Sequence, residues 1–373
     1  MKQLALRSAL ISLLLASLAL PASALPRERD KWLRVETGHF VFLSNAGEPS
    51  IRRLATKIER LHELLAQINP GAELGSERPI YLYAFEGNRS LTPYKPLYNG
   101  KPANIAGYFL ARPEASYIVM LAEGGEEVER ILFHEYMHYA LGRVYATVPL
   151  WFNEGMAELY STFQSNDWHA EVGHPIGVHI ETLRKHDLIP LARLFAVDPT
   201  SKDYNEERRQ GIFYAQSWAL VHYLLRGNPA RREQTFRFFK DVTNGKPGIQ
   251  AFHDAFQTDE AQIERELHDY VRRNEFKYAM IPMKRPTELQ VRIEPLPREE
   301  TLTRLGELLL FQQDNTRLAE AEKHFRAALE ARPGYGPAQI GLCRIEEAAG
   351  RAAAALACFE KAKQTTLSDV SRQ

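Results

Sequence analysis

The segment ILFHEYMHYALGRVYATVPLWFNEGMAELY, residues 131–160, carries an H-E-x-x-H string at His134, Glu135 and His138, followed by an acidic, apolar-rich run around Glu154. A helix turns about 100° per residue, so His134 and His138 project from one face, one turn apart, where two imidazoles can hold one metal ion. Glu135 falls at the edge of that face, suited to taking a proton from a metal-bound water rather than to ligating the metal. Zinc on two histidines needs a third protein ligand and, in a catalytic site, an open fourth position. Glu154, beyond a turn containing Gly142 and Pro149, is the candidate. It lies in residues 150–160, which read as a second buried helix with Leu150, Glu154 and Glu158 on one stripe. Glu158 is then placed to accept the other ring N–H of a ligand histidine and fix its tautomer. Ile131, Leu132, Phe133, Met137, Ala140 and Leu141 make the first helix a buried one, and buried His and Glu need partners.

At these residues the sequence resembles the gluzincin metallopeptidases, the group that includes thermolysin and the aminopeptidase N relatives. Residues 150–158 look like the glutamate helix of that group, in which the Glu of an Asn-Glu pair is the third zinc ligand. The resemblance implies zinc on His134, His138 and Glu154 with Glu135 as general base, and it is diffuse elsewhere in residues 35–273. A further match falls at residues 213–220, FYAQSWAL. There Tyr214 would stabilise the oxyanion of a tetrahedral intermediate, since a phenol donates to developing negative charge without ionising. Read from its neighbours alone, Tyr214 is equally a core tyrosine beside Trp218, Val221 and Leu225, and His222 a packed or exposed histidine. No G-x-M-E-N segment is present, so aminopeptidase activity is not implied and an endopeptidase is expected.

The rest of the chain reads as support. Residues 1–24, with Lys2 and Arg7 ahead of an apolar run and Ala22-Ser23-Ala24 at its end, predict a removed export signal, and hence an exported, periplasmic or secreted protein without a membrane span. Lys plus Arg and Asp plus Glu balance at 47 each, with no basic stripe, which gives no footing for nucleic acid or an anionic membrane. Strands are expected at 35–44, 80–85, 106–110 and 117–121, the last two as a hairpin, and a helix at 49–68. By analogy with gluzincins, residues 117–121 would be the strand that binds extended substrate by main-chain pairing. Residues 166–177 read as a loop, 202–209 as a solvated charged face, and 179–273 as mostly helical. A strand-rich half before a helical half, with the metal between them, is α+β.

Residues 276–300, with Pro282, Pro286, Pro295 and Pro297, read as an extended linker. Beyond it Ala321, Phe325 and Ala328 recur as Ala355, Phe359 and Ala362, and Pro333 sits where a tetratricopeptide repeat places a proline. Two helix pairs follow, resembling tetratricopeptide repeats, too few to stand alone and so expected to dock on the rest of the chain or on a protein partner. The expected division is therefore a signal (1–24), a gluzincin-like domain (25–275), a linker (276–300) and an all-α repeat module (301–373). Cys343 and Cys358 both lie in the second repeat and are expected as buried free thiols, though an oxidising compartment permits a disulfide. The function expected is an exported Zn2+-dependent peptidase acting on peptides or proteins. Its rival is a periplasmic interaction scaffold that keeps a non-catalytic zinc-binding fold and recruits a partner through its repeats.

Overall fold

The computed structural model describes residues 25–370 except 71–73, 75–79, 114, 146–147, 206, 286–288 and 313. The expected export signal lies outside the described residues.

A six-stranded sheet organises the molecule. Its strands are β1 (Leu33–Glu36), β2 (Phe40–Ser44), β3 (Ile80–Phe85), β4 (Gly107–Ala111), β5 (Ser116–Leu121) and β8 (Arg292–Pro295), in spatial order β8-β1-β2-β3-β5-β4. β2, β3 and β5 run parallel, with helix α1 (Glu48–Ile68) crossing between β2 and β3, while β4 returns antiparallel to β5 and β1 pairs antiparallel with both β2 and β8. The parallel strands β2, β3 and β5 are apolar at nearly every position because both faces of the sheet are covered. Phe42, Leu82, Ala84, Ile118 and Met120 point to one side, into a core shared with α1 and α2 (Glu126–Val144). The alternate positions Leu43, Tyr83, Phe85, Tyr117 and Val119 point to the other.

The first side continues into the helical half. There α3 (Leu150–Ser161), α4 (Gly177–Lys185), α5 (Glu207–His222), α6 (Pro229–Thr243), α7 (Gly248–Phe256) and α8 (Glu260–Val271) share the core of the first sheet face. A smaller sheet pairs β6 (His169–Val172) with β7 (Ala279–Pro282) and with the two residues Gln164–Ser165. Residues 169–172 are thus a strand inside what reads as a loop.

The second side is covered by the C-terminal helices α9 (Arg298–Phe311), α10 (Leu318–Ala331) and α11 (Gly336–Ala348), and α12 (Ala352–Val370) packs on α11. Leu302, Leu305, Leu308 and Leu309 of α9 lie against the sheet, Tyr83 donates to the Arg304 carbonyl at 3.1 Å, and Tyr94 Oη lies 2.9 Å from His324 Nε2. Arg112 and Arg317 donate across the same junction, to the carbonyls of Phe311 and Pro93. The helix pairs interlock through Phe325, whose ring occupies the space that a Cβ on Gly341 would need, 2.4 Å from one ring carbon.

Two expectations are corrected. The segment 276–300 is extended but is not a free linker, because β7 closes the small sheet and β8 the edge of the large one. Its prolines sit where a strand tolerates them, Pro282 and Pro295 at strand ends and Pro297 ahead of α9, rather than breaking the pairing. Pro286 lies outside the described residues. Cys343 and Cys358 are bonded to each other, since α11 and α12 pack antiparallel and bring the two Cα atoms to 5.3 Å. Among the described residues no helix is long and apolar enough to cross a membrane.

Candidate metal centre

α2 begins at Glu126, with Glu126, Glu127 and Glu129 in its first turn, where negative charge suits the helix dipole. Its buried face (Leu132, Phe133, Tyr136, Met137) locks the helix between the sheet and α3, which leaves His134, Glu135 and His138 facing α3 and α5. α3 is pressed onto α5 at Gly155, where a Cβ would stand 2.4 Å from the Ser217 carbonyl oxygen. Only glycine allows that approach, and it seats the neighbouring Glu154 opposite the two histidines.

His134, His138 and Glu154 form one cluster, with a donor atom from each all within 4.8 Å of one another. Glu154 Oε2 lies 3.3 Å from His134 Nε2 and 3.6 Å from His138 Nε2. The second nitrogen of each ring faces an oxygen, through a hydrogen bond at His138 and through an ion-pair contact at His134. His138 Nδ1 is 3.2 Å from Asn153 Oδ1, and His134 Nδ1 is 3.4 Å from Glu158 Oε1. Those acceptors favour the Nδ1–H tautomers and turn the Nε2 lone pairs inward, towards Glu154. The carboxylate is divided in the same way. Oε1 accepts from the Tyr204 hydroxyl at 3.1 Å, whereas Oε2 is buried with no hydrogen-bond partner. A buried carboxylate oxygen left unpaired between two imidazole nitrogens suits a divalent cation, and two nitrogens with one oxygen is a donor set that zinc accepts.

The electrostatics agree. Burial works against a charged His134, but Glu154, Glu158 and Glu135 outweigh it and raise its pKa to about 9, which measures the negative field at this point. Burial also opposes ionisation of Glu154 and Glu158. His138, His134 and Tyr204 nevertheless keep Glu154 below its ordinary value, and His179, His134 and Arg130 bring Glu158 to about 2. Glu135 goes the other way, because burial pushes it up more than the two histidines pull it down. A carboxyl held above its usual range, beside carboxylates held below theirs, is fitted to taking up a proton and returning it.

Tyr214, on α5, lies with its ring centroid 6.1 Å from that of His134 and lines a cavity of about 240 Å³ with His134, Glu135, Glu158 and the segment 104–107. Its hydroxyl is bonded to that of Tyr204, and burial raises its pKa well above the ordinary phenol. The six residues singled out from the sequence, His134, Glu135, His138, Glu154, Glu158 and Tyr214, thus converge. The strand at 116–121 does not border this cleft. β5 is interior, between β3 and β4, and the sheet edge that reaches the cavity is β4 with the residues just before it. The reason is the hairpin, which folds β4 outside β5.

Sequence reasoning missed Tyr204, Asn153 and His179. Asn153 carried a signal, the Asn-Glu pair itself. Tyr204 was hidden in residues 202–209, where Asp203 is also buried and paired with Arg193 at 2.5 Å, so this stretch is not simply a solvated face. His179 Nε2 sits 3.1 Å from Glu158 Oε2 without a well-angled hydrogen bond. His169 and His174 instead flank Glu171, at 3.2 and 2.8 Å. His222 is packed, between the Tyr270 hydroxyl and the Gly173 carbonyl.

No curated protein matches the chain. Residues 312–372 match the tetratricopeptide repeat family, so that the helical C-terminal region, from α10 to α12, is similar to modules that generally mediate protein interactions.

Proposed function

We propose that this chain is a zinc-dependent peptidase of gluzincin type, an endopeptidase exported from the cytoplasm. The observation that carries the reading is Glu154 Oε2, buried, unpaired and within 3.6 Å of two imidazole nitrogens. His134, His138 and Glu154 would hold the ion, with Glu158 and Asn153 fixing the rings. Zinc on that set supplies Lewis acidity, polarising a peptide carbonyl and lowering the pKa of an attacking water.

Glu135 takes the proton of that water as its oxygen attacks the carbonyl, then hands it to the leaving amine. Its raised pKa supports this double duty. Tyr214 donates to the carbonyl oxygen as it turns negative, which requires its hydroxyl to leave Tyr204 for the substrate. An extended substrate would pair with the open side of β4 and residues 104–106, which line the cavity beside His134 and Glu135.

The test is incubation of wild type and Glu135→Gln with an unfolded protein, with and without a chelator. Chelator-sensitive cleavage by wild type alone is the expected result, and cleavage by Glu135→Gln would remove that residue from the mechanism. The repeat match favours a second reading, an interaction scaffold on a non-catalytic metal-binding fold. Recovery of one stable partner with both proteins, and cleavage by neither, would establish it instead.

A further inference from the structure

Residues of α2 and α3 other than those of the metal centre line a second cavity, of about 600 Å³, more than twice the volume of the one at the site. Its size falls within the range of about 300–1,000 Å³ usual for small-molecule sites. The wall is apolar and adaptable, with Met137 and Leu141 from α2, Phe152 and Met156 from α3 and Phe239 from α6. At its rim Phe236 and Met280 stand 57% and 59% exposed.

One group does not fit an apolar wall. Arg226 also lines the cavity, and its Nε is buried without a hydrogen-bond partner. The ionisable groups that act on Arg226 are the Tyr160 phenol and a second cation, Arg232, which lies over the Phe236 ring at 5.8 Å. None of the described residues lining the cavity is acidic. A half-buried guanidinium without a counter-charge is unfavourable, and nothing in the metal centre makes use of it. An anion in the cavity would satisfy it, while the lining demands that the rest of the ligand be aliphatic.

We propose that this cavity binds a long-chain fatty acid, its carboxylate on Arg226 and its chain along Met137, Leu141, Phe152 and Met156. A short anion would leave the apolar wall wet, and a neutral lipid would leave the guanidinium bare. Arg232, exposed at the mouth, adds to the field that draws the headgroup in.

The test titrates the purified full-length chain with palmitate, palmitate methyl ester and 1-hexadecanol by calorimetry, below the micellar concentration of each. One palmitate should bind per chain, and the ester and alcohol should bind at least about tenfold more weakly, as the loss of a charge-assisted hydrogen bond requires. Arg226→Gln should lose a similar factor for palmitate with an unchanged or raised melting temperature, and Arg226→Lys should recover part of it. Ala140→Phe, which fills the cavity from α2, should abolish binding of all three ligands. Absence of saturable palmitate binding would overturn the proposal, as would equal affinity for acid and ester in the wild type. The second comparison stands even if a variant fails to fold.

Discussion

Glu154 uses its two oxygens differently, and the difference can be measured. Oε1 is held by Tyr204 and Oε2 faces the two imidazoles. On the zinc site proposed above, Tyr204→Phe should therefore keep the metal but bind it about tenfold more weakly, the usual effect of removing a ligand's hydrogen-bond partner. Glu154→Ala should lose the zinc altogether, and full metal content in that variant, read by atomic absorption, would show that the third ligand lies elsewhere. His222 gives a separate check far from this chemistry. Burial holds it down to about 4, and its two bonds suit a neutral ring, with Nε2–H donating to Gly173 and Nδ1 accepting from Tyr270. The unfolded chain takes up that proton first, near pH 6.5, so His222 withdraws stability as pH falls from about 6.5 to 4 and has no effect above. Urea midpoints across that window should fall more steeply for wild type than for His222→Gln. At this scale the sequence was most legible where spacing does the work. The i, i+4 histidines, Glu154 and Glu158 share stripes on two helices, and a stripe is a local property. Tyr204 and His179 come from segments tens of residues away, and no local periodicity marks them.

Among the elements, contact between α3 and α5 sets the site's width. Gly155→Ala puts a methyl group 2.4 Å from the Ser217 carbonyl oxygen, so the helices must part. The expected cost is about 1–3 kcal/mol, as for other overpacked contacts, together with a drop in zinc affinity as Glu154 moves off the histidines. Loss of stability with unchanged zinc affinity would separate the contact from the site. Sequence reading placed α2, α3 and α5 because each carries a long apolar face. It misread β8 because four prolines outweighed a short edge strand, and it chose β5 over β4 as the cleft edge because strand order depends on pairing between distant segments. The disulfide between α11 and α12 was missed in favour of free thiols for a similar reason, since a Cα separation is a tertiary quantity. Closing a loop of 15 residues, it should stabilise that helix pair by about 3 kcal/mol on the chain-entropy account. Reduction should accordingly speed hydrogen exchange in α11 and α12 while leaving β3 and β5 protected.

For the molecule as a whole, the repeat helices serve the fold as its second outer layer, because α9 and Phe325 belong to the core on the far side of the sheet. A chain ended at residue 300 would expose Leu43, Tyr83, Phe85, Tyr117 and Val119 together, and apolar surface of that kind drives aggregation. We expect the truncated protein to be insoluble or oligomeric by light scattering, while the full chain unfolds in one calorimetric transition. A soluble, zinc-binding fragment of residues 25–300 would show that the helices are an appendage.

β1 has one neighbour made at once and another, β8, that follows it by more than 250 residues. A chain threaded through a membrane pore from its N-terminus therefore emerges with its first strand half-paired, and it must wait for residues 292–295 before the edge can close. High contact order of this kind slows folding and prolongs exposure of sticky intermediates. On the export and activity proposed above, maturation should depend on holding factors during passage, and substitutions that weaken β8 should show up first in yield and only afterwards in the activity of the molecules that survive.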